Sequence, residues 1–232
     1  MRPDRIQAGG RALHQSADDE FLTAPRPRFQ NRVDPFGEIL FAPERGRFFG
    51  NRGGRFHRED GALGPARWTS RRWIACLCAF KGRRKQVFGS GYTDLFFLDE
   101  PTALAAGHRP CFECRRERAT AFVRAIDPTG ALRAPALDAQ LDRERRDGRN
   151  KRMHPLPVDD LPDGAMFAEG GWAFAIRGDA VLPWSFAGYG TPIERPRGSR
   201  VAALTPPTSL RALANGYHPE WAGLEEAPQL HP

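Results

Sequence analysis

Residues 96–119, FFLDEPTALAAGHRPCFECRRERA, hold two of the four cysteines of this 232-residue chain. The stretch reads as a buried strand, an Asp99 cap, and a short helix with Pro101 early and Gly107 at its end. Pro-Cys-x-x-Cys follows, and then a longer helix from about Arg115 to Ile126 that stops before Asp127-Pro128. Cys111 and Cys114 have the spacing of a zinc knuckle, a turn that brings two thiolates onto one tetrahedral ion with Zn–S near ~2.3 Å. Cys114 also stands beside a helix N-terminus, which favours the thiolate. A redox pair of thioredoxin type follows a strand in a βαβ unit, whereas this pair is entered from a helix. The remaining alternative is that both cysteines pack as small apolar residues.

A tetrahedral site needs two more ligands. Cys76 and Cys78, in the apolar run WIACLCAF, are two apart in an expected strand and so share one face. That suits a second ligand pair, and equally two small core residues. His57, in GNRGGRFHRED (50–60), is a third candidate, with Asp60 beside it.

Residues 96–119 resemble the metal-binding domain of Ada-type DNA-repair proteins, which has a strand, a helix of the form E-A-L-A-A-G and then F/Y-R-P-C-x-x-C. The helix, Gly107, Arg109-Pro110, Cys111 and Cys114 carry the likeness. The module is also similar to zinc-binding tails of some nucleases, whose upstream ligand segment runs G-N-K, a spacer, then F-H-R-P-x-C. Gly50, Asn51, Phe56, His57 and Arg58 fit it, but Gly61 stands where that pattern has cysteine. The resemblance implies Zn2+ and leaves two ligand sets. One joins His57 to Cys111 and Cys114, with Asp60, Cys76 or Cys78 as the fourth, and the local match favours it. The other is Cys76, Cys78, Cys111 and Cys114. Ada proteins move a methyl group from a DNA phosphotriester onto a zinc-bound thiolate of the upstream pair. Imidazole would not serve there, so the zinc fold carries over more firmly than the reaction.

The expected fold class is α+β: a basic Ada-like zinc domain over residues 30–148 with an added hairpin, after a flexible N-terminal segment over 1–29. A linker over 149–160 and a small β-rich unit over 161–232 follow. The hairpin is read from a strand at 73–80, a turn at KGRR and a second strand at KQVFG. Residues 1–152 carry 30 Lys+Arg against 19 Asp+Glu, a net +11, while the rest carries −4. A basic segment of this kind concentrates polyanions, so nucleic acid, DNA first, is the expected partner. Arg71, Arg72, Arg83, Arg84 and Lys85 are the contact candidates, interleaved with Trp68 and Trp73. GNRGG also offers backbone amides to a phosphate but lacks the Lys-Ser/Thr of a P-loop. Two other readings are an enzyme whose Asn31, Arg32, Asp34, Glu38 and His57 line a cleft between the parts, and an interaction module built on Trp184, Phe186 and Tyr189. No apolar run suits a leader peptide or a membrane span, and a cytoplasmic location is expected.

Overall fold

The chain is described by a computed structural model over residues 29–82, 87–88 and 91–223. It is mixed α+β. Short apolar runs build a first sheet from β1 (Arg32–Val33), β2 (Ile39–Leu40), β3 (Phe48–Asn51), β4 (Ile74–Leu77), β5 (Leu95–Phe97) and β6 (Arg109–Pro110), in the order β2-β1-β5-β3-β4-β6. Strand β3 runs antiparallel to β4 and β5, whereas β4 and β6 pair in parallel. Gly50 lies where a Cβ would come within 2.5 Å of both the Phe97 ring and the Ile74 carbonyl. Its missing side chain lets the Phe97 ring close over the sheet.

The next element, α1 (Glu100–Ala105), is buried at all six positions. Ala103 and Ala106 pack on the first sheet with Val33, Phe48 and Phe97. Ala105 packs with Met166, Ala173 and Ala175, and Leu104 with Phe122 and Leu141. Small side chains therefore let one short helix serve three apolar clusters. Its N-terminus is tied down as the sequence predicts: Asp99 Oδ1 accepts from the Thr102 amide at 3.0 Å and the Thr102 hydroxyl at 2.7 Å. Tyr189 Oη donates to Asp99 Oδ2 at 2.9 Å. Glu100, buried, pairs with Arg115 at 2.9 Å and Arg118 at 3.1 Å, and accepts from the Glu220 amide at 2.9 Å.

Helices α2 (Arg116–Ile126) and α3 (Ala134–Arg145) follow, and then the hairpin β7 (Arg146–Asp147) and β8 (Asn150–Lys151). A second, antiparallel sheet comprises β9 (His154–Pro157), β10 (Met166–Glu169), β11 (Trp172–Arg177), β12 (Ala180–Ser185), β13 (Gly188–Tyr189), β14 (Ile193–Glu194) and β15 (Arg200–Ala203). Its turns fall at Gly170-Gly171 and Gly178-Asp179, as read from the sequence. Helix α4 (Pro207–Ala214) ends at Asn215-Gly216.

Two expectations are corrected. Residues 149–160 are not a bare linker: they supply β8, β9 and a 3-10 turn at Val158–Asp160, and β9 pairs with β15 along its whole length. The cut between the two parts also runs through a shared core, in which Phe122, Leu137 and Leu141 pack with Phe167, Ile176, Val201 and Leu210. Proline and charge made the segment look like a connection, although Pro155 and Pro157 lie at positions of a terminal strand, where proline is tolerated. As for the added hairpin, its first strand is β4, but its partners are β3 and β6. Half of the turn and most of the second strand, at residues 83–86 and 89, lie outside the described residues.

Candidate metal centre

Strand β6 runs beside β4, with Ile74 opposite Arg109 and Ala75 opposite Pro110. The Cys111 amide continues this ladder, donating to Ala75 O at 3.0 Å. Cys111 thus leaves the sheet next to Cys76, and the turn that follows brings Cys114 back toward both. The sulfurs of Cys76, Cys111 and Cys114 lie within 4.8 Å of one another. Thiolates on one tetrahedral zinc are about 3.8 Å apart, from a Zn–S distance of ~2.3 Å, so only a small contraction is needed. Two backbone amides already point at sulfur: Leu77 N donates to Cys114 Sγ at 3.4 Å and Glu113 N to Cys111 Sγ at 3.4 Å.

The thiols also bond to one another. Hydrogen bonds from Cys114 and Cys76, aided by the local amides, pull Cys111 below the ordinary thiol range. The same bonds hold Cys76 well above it, with burial adding to the effect. Three sulfurs gathered at one point suit a soft cation. Soft thiolates and a closed, amide-lined turn fit zinc. Cys76, Cys111 and Cys114 would hold it, with a fourth ligand from outside this trio.

The other predicted ligands lie elsewhere. Cys78 falls one residue past the end of β4, is exposed, and directs its sulfur to Arg47 O at 3.3 Å. Strand geometry stops at Leu77, so the expected shared face with Cys76 does not extend to Cys78. His57 is buried, stacks on Phe88 at 4.4 Å between ring centroids and shares a 2.8 Å hydrogen bond from Nδ1 with Thr93 Oγ1. Among the described residues the metal-competent group contains neither His57 nor Cys78. Asp60 is exposed and caps the Ala62 amide at 2.9 Å.

Of the basic candidates, Arg71 and Arg72 are exposed, Arg71 lying 3.6 Å from Asp142; Arg83, Arg84 and Lys85 lie outside the described residues. The proposed enzyme groups stay in separate settings. Asp34 closes a turn by accepting from the Glu38 amide at 2.9 Å, and burial raises its carboxyl to about 6. Arg32 donates to Asn31 Oδ1 at 2.6 Å. Trp184 and Tyr189 are built into the molecule, Trp184 Nε1 donating to Thr102 Oγ1 at 2.9 Å.

A second constellation went unread in the sequence. Arg52 and Arg145 are almost fully buried, and each guanidinium carbon is 3.9 Å from the centroid of the Trp73 ring. Arg52 Nε donates to His108 Nε2 at 3.3 Å, and Arg145 donates to Asp142 Oδ1 at 2.9 Å. Lys151 donates from Nζ to Ala105 O. Burial, then the charges of Arg52 and Arg145, brings Lys151 down to about 7. Nothing periodic marks these residues; only the scattered excess of arginine did. No helix among the described residues is long and apolar enough to cross a membrane. No family model, no curated protein and no solved structure matches this chain.

Proposed function

We propose that this protein holds one zinc ion on Cys76, Cys111 and Cys114 and binds nucleic acid through its basic first part. The convergence of three sulfurs from β4 and the Cys111–Cys114 turn carries the reading. Strand β5, helix α1, Gly107, Arg109-Pro110 and the knuckle follow one another in the order of the Ada-like pattern, and that resemblance is what suggests a role in DNA repair or processing. The net +11 of residues 1–152 supports a polyanionic partner. Methyl transfer is the less favoured part of that resemblance, because Cys76 and Cys111 are 7% and 6% exposed. A methyl acceptor has to be reached by its substrate.

Binding through phosphates releases counterions, so affinity for labelled DNA or RNA should fall linearly on a log–log plot as salt rises. Reversing Arg71, Arg72, Arg83, Arg84 and Lys85 to glutamate should weaken all sequences alike and flatten that slope. Fluorescence anisotropy at low salt checks this. Absence of binding to every strand, or binding indifferent to both salt and charge reversal, removes the nucleic-acid half of the reading.

A further inference from the structure

Trp73, Arg52 and Arg145 form the inner wall of a small cavity between the 36–38 turn, the end of α1, the end of α3 and the β7–β8 hairpin. Its free volume is about 40 Å³, room for roughly three waters or one phosphate group. Six cations line it: Arg52, Arg145 and Lys151 together with Arg67, Arg146 and Arg149. Of these, Arg67 and Arg149 are exposed. The lining holds one carboxylate, Glu38. Adding the nearby Asp34 and Asp142, cations still outnumber carboxylates two to one.

The inner charges are poorly compensated. Among the described residues Arg52 makes no ion pair; its partners are a carbonyl (Gly37 O, 2.8 Å), the His108 ring and the Trp73 face. Burial and the charges of Arg52, Arg145 and Lys151 keep His108 well below its ordinary value. Arg145 Nε and His108 Nδ1 are buried without a protein partner among the described residues. Buried charges are normally paired, because removing them from water costs several kcal/mol each. Arg145 has Asp142 at 2.9 Å, but among the described residues Arg52 and Lys151 have no carboxylate at ion-pair distance, and an anion would complete them. Guanidinium forks suit phosphate oxygens.

We propose that this cavity is a binding site for a phosphate monoester, with the terminal phosphate of a nucleic-acid strand as its source. A monoester brings nearly two negative charges to these cations, whereas an internal phosphodiester brings one. The choice of a strand as source rests on the nucleic-acid reading above; the cavity's preference for a monoester does not. Gly107 belongs to the same design: its φ is +88°, and a Cβ there would lie 2.6 Å from Arg145 Cβ and Cδ. Arg145 can reach Trp73 only past a glycine.

The test compares oligonucleotides ending in 5′-phosphate, 3′-phosphate or hydroxyl, together with adenosine monophosphate and inorganic phosphate, using anisotropy, calorimetry and tryptophan fluorescence. A phosphate at one end should tighten binding at least about tenfold, two charge-assisted contacts being enough for that. Millimolar inorganic phosphate should erase the gain, and so should Lys151→Gln or the exposed Arg149→Glu. Lys151 is faced by Arg52, Arg145 and Asp34, and an anion beside it favours its charged form. The gain should therefore shrink between about pH 7.5 and 9, where the monoester is already a dianion, and Lys151→Gln should abolish that dependence. If hydroxyl and phosphate ends bind alike and neither small phosphate perturbs fluorescence, the cavity proposal is wrong while the nucleic-acid reading stands. If adenosine monophosphate or inorganic phosphate binds but no strand does, the cavity proposal stands and the strand source falls. If nothing binds, both are overturned.

Discussion

Three cysteines divide sharply from the fourth. Cys76 and Cys78 are equivalent on paper, since two residues apart in a strand means one shared face. They part because β4 ends at Leu77 and the chain turns, leaving Cys78 exposed beside Arg47 O. His57 looked like a ligand because its flanking residues match a known pattern; in the structure Thr93 and Phe88 occupy it. The knuckle pair was legible because a C-x2-C turn is local. The third sulfur, Cys76, was one candidate among several, because β4–β6 pairing over more than thirty residues decides which upstream residue meets the knuckle. Single replacements of Cys76, Cys111 or Cys114 by serine should each lower the zinc content of purified protein severalfold, while Cys78→Ser and His57→Ala leave it unchanged. Elemental analysis of the five variants checks this. Loss of zinc in His57→Ala with retention in Cys76→Ser would restore the histidine ligand set.

At the level of elements, α1 shows what local reading captures. Its cap, its proline and its terminating glycine were visible, and the helix forms where they place it. Its role was not visible, because an alanine-rich helix looks unremarkable until three cores close on it. Glu100 shows this best: burial works to raise its carboxyl, and Arg115 with Arg118 more than offsets that, holding it below the ordinary 4.5. A carboxyl so depressed adds stability that is present above the unfolded value and is lost as pH falls through the folded one. Glu100→Gln should destabilise the protein by about 3 kcal/mol at pH 7, the scale for breaking a buried pair. It should also flatten the loss of stability below pH ~4.5. Urea titrations at pH 7 and pH 4 measure both. A variant as stable as the parent at both values would show that the Glu100 pairs do not hold α1 to α2 and the 217–222 segment.

For the molecule as a whole, the succession of strand and helix patterns announced an α+β class, and the fold is mixed α+β. The division into two parts was drawn from proline and charge, and it fails where strand β9 and helices α2, α3 and α4 share one interior. Periodicity cannot report such sharing, since it sees which face is apolar and not what covers it. The sulfur cluster and the basic cavity lie on either side of the same short run: β6 leads to Cys111, and its first residue is preceded by His108, which touches Arg52. One segment, residues 107–114, thus positions both candidate sites, and the metal centre would fix it. Chelation should accordingly lower stability, because metal held by the folded form alone contributes to folding. The most direct measurement is zinc K-edge absorption spectroscopy on protein purified without chelator, with the metal content determined on the same sample. The account predicts about one zinc per chain and a first shell of three sulfurs near ~2.3 Å with one lighter ligand. A metal-free protein, or a first shell made only of nitrogen and oxygen, would contradict it.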